Sequence, residues 1–194
     1  MPLMKTLIFA TSNANKVREI NIKLPTFQVL PMRAIGCTEA LPETQKTLAG
    51  NALQKARYLH QRYQVDCFSD DTGLLVEVLN GAPGVYSARY AGLEKNANAN
   101  MNLLLKQLKS YTNRKAYFKT VIALILDGKE HLFEGSVQGH IHTKKRGKSG
   151  FGYDPIFIPD GYVTTFAEMS LKQKNAISHR GKAVEQLITF LERL

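Results

Sequence analysis

Tryptophan is absent from the 194 residues, and cysteine occurs only twice, at Cys37 and Cys67. Their spacing fits no metal-ligand pattern and no disulfide framework, so both read as reduced thiols in or near a core. Long apolar runs are missing too. The longest, Val121 to Leu126, has six residues, against the roughly 20 that a membrane-spanning helix needs. The short apolar stretch after Lys5 runs at once into Asn13, Asn15 and Lys16, too early for a signal peptide, so a cytoplasmic protein without a membrane partner is expected. No repeat, low-complexity tract or linker interrupts the chain. With 44% hydrophobic and 22% charged residues the composition is globular, and the length suits a single domain over residues 1–194.

Negative charge is scarce. The net charge is +10, and the excess lies in the second half: residues 98–194 carry 15 Lys and Arg against 8 Asp and Glu. A basic chain attracts polyanions, either nucleic acid or a small polyphosphate, and composition does not separate the two. The densest basic cluster, Lys144, Lys145, Arg146 and Lys148, reads as a solvated loop or as part of a nucleic-acid surface.

The order of elements indicates an α/β fold. Lys5 to Thr11 is a strand-like run, followed by the loop SNANK and a helix with Val17, Ile20 and Leu24 at helical spacing. Phe27 to Leu30 is a second short strand, and Thr47 to Tyr63 is a helix with Leu48, Ala52, Ala56 and Leu59 on one face. Gly50 is unexpected inside it, since glycine costs about 1 kcal/mol relative to alanine there. Cys67 to Ser69 and Leu74 to Leu79 read as strands flanking a bend at Asp70, Asp71, Thr72 and Gly73. Glu94 to Ser110 is a helix. Ala116 to Leu126 and His131 to Thr143 form a long hairpin around Asp127-Gly128. Pro155 to Ile158 is a strand, Ser170 and Gln173 start a short helix with a capping box, and a last helix begins near Ser178 or His179. Alternating strands and helices followed by an antiparallel ribbon predict a mixed sheet with helices packed on it.

Four features carry chemistry. The loop Thr11, Ser12, Asn13, Ala14, Asn15, Lys16 offers small polar groups and backbone N–H groups at a helix N-terminus, with Lys16 one turn in. This suits a phosphate, the alternative being an ordinary helix cap with a surface lysine. Asp70 and Asp71 are adjacent carboxylates whose repulsion a hard cation such as magnesium relieves, with Glu43 as a further ligand; a solvated turn is the plainer alternative. The stretch Ser149 to Phe157 sets Phe151 and Tyr153 between glycines as an aromatic platform for a planar base, or as a turn that only packs. Lys174 and the run Ser178-His179-Arg180 offer hydrogen-bond donors to phosphate or to base carbonyls, or simply a helix start.

Other readings fail on spacing. Gly147-Lys148-Ser149 lacks the P-loop's first glycine, since position 142 is His. Gly150-Phe151-Gly152 has Pro155 where a dinucleotide fingerprint needs its third glycine. Asp71-Thr72-Gly73 has no second copy to complete an aspartic protease dyad. A basic nucleic-acid-binding module leaves Glu43, Asp70 and Asp71 unexplained, so no stable nucleic-acid partner is expected. Taken together, a metal, a phosphate cradle, a base platform and base-edge donors describe a nucleotide site.

In this order, ATSNANKVREI, FSDDTGLLVEVLNGAPGVYSARYAG, GFGYDPIF and KNAISHRGKA resemble the inosine triphosphate pyrophosphatase family from residue 7 to the final helix. The resemblance implies an elongated mixed sheet with flanking helices, and two lobes around a central nucleotide cleft. It also implies a magnesium-dependent homodimer that converts ITP, dITP and XTP to the monophosphate and pyrophosphate. Thr11, Ser12, Asn13 and Lys16 match its phosphate segment, Glu43, Asp70 and Asp71 its metal ligands, and Asp71 also its proton acceptor. Thr72, Phe151, Gly152, Tyr153, Asp154, Lys174, His179 and Arg180 match its substrate-binding residues. The expected chemistry is in-line attack of water on the α-phosphorus, with Lys16 and Lys174 facing the departing pyrophosphate. A relative preferring modified pyrimidine triphosphates is only partly excluded. One departure stands out: many bacterial members read Thr-Phe-x-Glu-Asn-Ala where this chain has Thr47-Leu48-Ala49-Gly50-Asn51-Ala52. A carboxylate near the metals is then missing, which leaves the number of metal ions open.

Overall fold

The computed structural model describes residues 5–12 and 14–193. Six strands form one mixed sheet in the order β2-β1-β3-β4-β5-β6. The strands are β1 (Lys5–Phe9), β2 (Phe27–Pro31), β3 (Cys67–Val76), β4 (Lys115–Leu126), β5 (Lys129–Ile141) and β6 (Phe157–Pro159). The helices are α1 (Ala14–Lys23), α2 (Leu48–Tyr63), α3 (Ala97–Gln107), α4 (Leu171–Ile177) and α5 (His179–Leu191). The chain divides into two compact units: Met1–Asp71, Val121–Glu134 and Ala183–Leu194 form one, and Thr72–Thr120 and Gly135–Lys182 the other.

In the first unit, β1 runs parallel to both β2 and β3. Leu7, Ile8 and Phe9 are all buried, as a parallel strand covered on both faces requires. Val17, Ile20 and Leu24 of the first helical segment pack on this core with Phe68, Ile122 and Leu187. Asn21 secures β2 by donating from Nδ2 to the Val29 carbonyl at 2.8 Å and accepting from its N–H at 2.9 Å. Thr47 caps α2 by accepting the Gly50 N–H at 2.9 Å. The expected face of α2 is buried, and Asn51 and Lys55 are buried with it.

The bend expected at Asp70 to Gly73 does not exist. β3 runs unbroken through it, and only beyond Val76 does the chain turn, in the 3₁₀ segment Glu77–Leu79. Extension also accounts for the adjacent carboxylates, because successive side chains of a strand leave on opposite faces.

The second unit has its own core, with Leu74, Met101, Leu104, Phe118, Phe157 and Phe166 among its members. The hairpin turn places Asp127 at φ 48 and Gly128 at φ 73, both positive as a tight two-residue hairpin favours. Asn96, rather than Glu94, begins the third helix by accepting the Ala99 N–H at 3.0 Å. The strand expected at Pro155 begins instead at Phe157, paired antiparallel with β5, and Asp154–Ile156 is a 3₁₀ turn. Pro155 has no N–H for a ladder and its fixed φ suits a helical turn. Ser170 and Gln173 form the expected capping box, and Ser178 Oγ accepts the Gly181 N–H at 3.1 Å to start the last helix.

Both cysteines are buried and free, and burial pushes the Cys67 thiol up to about 12. Among the described residues no helix is long and apolar enough to cross a membrane.

Candidate active site

In the first unit, β3 presents its two carboxylates to different partners. Asp70 takes the ammonium of Lys16 with both oxygens, each 3.0 Å from Nζ. Asp71 instead meets α2: Asn51 Nδ2 donates to Asp71 Oδ2 at 3.1 Å, and Lys55 Nζ stands 3.8 Å from Asp71 Oδ1. Lys55, only 7% exposed, also donates to Glu43 Oε1 and to the Asp70 carbonyl, both at 2.8 Å. Burial is the main influence on Asp71 and outweighs the opposing pull of Lys55 and Asn51, with Glu43 and Asp70 adding to the rise, so its carboxyl is pushed up to about 6.

These contacts bear on the magnesium that the resemblance implies. Three hard oxygens, from Glu43, the Asp70 backbone and Asp71, already converge on one positive centre, the Lys55 ammonium. Among the described residues no group of three or more His, Cys, Asp or Glu side chains gathers as a metal cage. A divalent cation here would therefore have two protein carboxylates, Glu43 and Asp71, with water and phosphate completing its shell, which is a common way to hold magnesium. The donors fit on those terms. The expected third ligand, Asp70, is placed differently, since its carboxylate faces Lys16.

Gly50 bears on the same question. It is the third residue of α2 after its cap, Thr47. A glutamate there belongs to a capping box, its carboxylate turned back to the cap's own N–H. In this chain a Cβ at Gly50 would lie 2.8 Å from Gln45 Cβ and 2.9 Å from Thr47 Oγ1. Glu43 and Asp71 keep their contacts with Lys55 and Asn51 without a carboxylate at this position.

Of the phosphate segment, Thr11 is buried, Ser12 is exposed and Lys16 is half-buried; Asn13 lies outside the described residues.

In the second unit, Phe151 is 64% exposed and forms the aromatic platform. Lys174 Nζ lies 4.7 Å from its ring centre and the Arg180 guanidinium 5.5 Å. Asp154, 3% exposed, holds this turn together: its Oδ2 accepts the Phe151 N–H at 2.7 Å and is bonded by the Lys174 ammonium. A Cβ on Gly150, at φ +79, would overlap that same oxygen, and the turn therefore needs glycine there. Gly152 lies next to the platform residue, also at positive φ. Thr72 shares a 2.7 Å hydrogen bond with Thr120, and Arg180 reaches Thr72 Oγ1 at 3.5 Å.

Two placements, those of Tyr153 and His179, differ from expectation. Tyr153 is buried, with its hydroxyl donating to the Ser87 carbonyl at 2.9 Å, so it anchors the turn and only Phe151 offers a ring face. His179 is buried with its ring stacked on Phe118, centroids 4.6 Å apart. Lys174, on α4, meets Asp154 and the Phe151 ring of the aromatic turn. Sequence reasoning missed Asn51, Lys55 and Thr120. A signal for the first two was present: two polar residues, four apart, interrupt the apolar face that Leu48, Ala52, Ala56 and Leu59 define.

Residues 7–190 match the model of the Ham1 family. The dITP/XTP pyrophosphatase of Flavobacterium psychrophilum is 55% identical over 187 residues, covering 96% of this chain and 98% of that protein. That of Porphyromonas gingivalis is 54% identical over 190 residues, covering 97% and 98%. Among solved structures, the Ham1 protein of Staphylococcus aureus superposes with a TM-score of 0.93 at 38% identity, covering 97% of this chain and 98% of that one. The HAM1 protein of Coxiella burnetii does so with a TM-score of 0.93 at 35% identity, covering 98% and 100%. With nearly its whole length matched in both sequence and fold, this chain belongs to the Ham1 family.

Proposed function

We propose that this chain, acting as one domain, is a nucleoside-triphosphate diphosphatase. It hydrolyses the non-standard purine nucleotides ITP, dITP and XTP between the α and β phosphates, giving the monophosphate and pyrophosphate and clearing them from the nucleotide pool. The observation that carries this reading is Asp71: a half-buried carboxylate fixed by Asn51 and beside Lys55 and Glu43. The dITP/XTP pyrophosphatase activity named for relatives more than half identical to it supports the same chemistry.

Asp71, its carboxylate fixed by Asn51, accepts the proton of the attacking water. Lys16 is the ammonium placed for the phosphates, with the α1 N-terminus beside it. Glu43 and Asp71 would hold magnesium, which when bound neutralises phosphate charge and lowers the pKa of water. Phe151 stacks on the base. Arg180 donates to O6, an acceptor in hypoxanthine and xanthine, where adenine presents an amino donor. A mispaired buried polar group can discriminate by about 10⁴. Thr72, held by Thr120, supplies a hydroxyl to the substrate. Lys174 serves the base turn through Asp154, and charge on the departing pyrophosphate falls to Lys16 and Lys55. The homodimer and the cytoplasmic location implied by the family resemblance belong to this proposal, and sedimentation velocity tests the first.

The test is product analysis on ITP, dITP, XTP, GTP, ATP and dTTP, with and without magnesium. Magnesium-dependent monophosphate and pyrophosphate from the first three are expected. Nucleoside diphosphate and phosphate would overturn the reaction, and equal rates on all six would overturn the account of base selection.

A further inference from the structure

Asn51 is 1% exposed, on the helix face that otherwise packs apolar side chains. Its amide is committed at both ends. Oδ1 accepts the Gln45 N–H at 2.9 Å, and Nδ2 donates to Asp71 Oδ2 at 3.1 Å. A backbone N–H can only donate, so the oxygen must face Gln45 and the NH₂ must face the carboxylate; flipping the amide would lose both bonds. One helix turn on, Gln54 grips the same segment, accepting the Thr44 N–H at 2.9 Å and donating to Thr44 Oγ1 at 2.8 Å. The segment so held begins at Glu43, whose carboxylate meets Lys55 from the same helix.

We infer that Asn51, backed by Gln54, is a positioning residue that sets two things at once: the orientation of the Asp71 carboxylate and the register of the Glu43 segment against it. α2 thereby serves as a rigid jig, since residues three and four apart share a face. Asn51 reaches the strand, and Gln54 and Asn51 together hold the loop. A neutral donor suits this position, because it fixes Asp71 Oδ2 without adding a second cation to the carboxylate. Asp71 Oδ1, 3.8 Å from Lys55 Nζ, lies beyond ordinary hydrogen-bond reach. That oxygen is thus held in direction, and Glu43 is kept against the same lysine. This inference rests on the roles proposed above for Asp71 and Glu43.

The test compares Asn51→Ala and Gln54→Ala with the wild-type chain. Three properties are measured: kcat and KM for dITP, melting temperature, and binding of Mn²⁺ without nucleotide, read from the electron spin resonance of the free ion. For Asn51→Ala the expected result is kcat lowered about 10- to 100-fold with KM little changed, and Mn²⁺ affinity about tenfold weaker, below its melting temperature. Gln54→Ala, which touches neither carboxylate, should fold normally and weaken Mn²⁺ binding by a smaller factor. Near-wild-type kcat and Mn²⁺ affinity in folded Asn51→Ala would overturn the inference, as would a fall in melting temperature alone. If Asn51→Ala does not fold, unchanged Mn²⁺ binding in Gln54→Ala overturns it. A wild-type chain that binds Mn²⁺ but releases no pyrophosphate contradicts the proposed function, and the Mn²⁺ comparison still decides the positioning role. A wild-type chain that does neither overturns both.

Discussion

The Lys55 ammonium, buried on the face of α2 that meets β3, lies 2.8 Å from Oε1 of the half-buried Glu43. A lysine so enclosed is stable only while its close counter-charge, Glu43, stays in place.

Replacing Lys55 with Met, of similar volume, leaves Glu43 and Asp71 without their shared cation. Removing one partner of a fully buried ion pair costs about 3–5 kcal/mol, and because Glu43 is half-buried the cost here is about 2 kcal/mol. For a chain of this length that lowers the melting temperature by roughly 5 °C. Magnesium should restore more stability to Lys55→Met than to the wild type, because it replaces a missing charge. Differential scanning calorimetry with EDTA and then with magnesium checks both.

Asp71→Asn should lose turnover by orders of magnitude and become the more stable protein at neutral pH. Folding raises this carboxyl from 3.8 to about 6, so the folded state binds the proton more tightly than the unfolded chain. Its contribution is therefore harmless below about pH 4 and becomes a growing cost as pH rises through 6, up to about 3 kcal/mol. Without metal, the melting temperatures of the variant and the wild type should coincide near pH 4 and separate by several degrees at pH 7 to 8, the variant higher. A wild type that stays the more stable at pH 8 in EDTA contradicts this.

Phe151→Ala should behave differently. The ring is 64% exposed, and its loss should leave the melting temperature unchanged. Base stacking on one aromatic is worth about 1–3 kcal/mol, so KM for dITP should rise about tenfold or more with kcat largely kept. Steady-state kinetics separates this from a fall in kcat.

Gly50→Ala tests how tightly the start of α2 is packed. A helical glycine replaced by alanine usually gains stability, up to about 1 kcal/mol in a helix interior and less in the first turn, where Gly50 lies. Here the new Cβ would stand 2.8 Å from Gln45 Cβ, so the gain should be absent and the melting temperature should fall. A rise would show that Gln45 yields easily.

Much of the fold was legible because its signals are local: the apolar stripe of α2, the Asp127-Gly128 turn and the capping box at Ser170. β3 was misread because Asp and Gly disfavour strands, and the tertiary partners that hold the two aspartates, Lys16, Asn51 and Lys55, are distant in sequence. In the site, residue types announced the carboxylates and Phe151, whereas Tyr153 and His179 took core positions that depend on Ser87 and Phe118, far along the chain. Asn51 and Lys55 were hidden by the assumption that polar residues on a helix face water.

The central claim is that water adds to the α-phosphorus under the control of Asp71. Hydrolysis of dITP in H₂¹⁸O, followed by mass spectrometry of both products, tests it most directly. The account predicts ¹⁸O in the nucleoside monophosphate and none in pyrophosphate; label in pyrophosphate, reporting attack at the β-phosphorus, would contradict it.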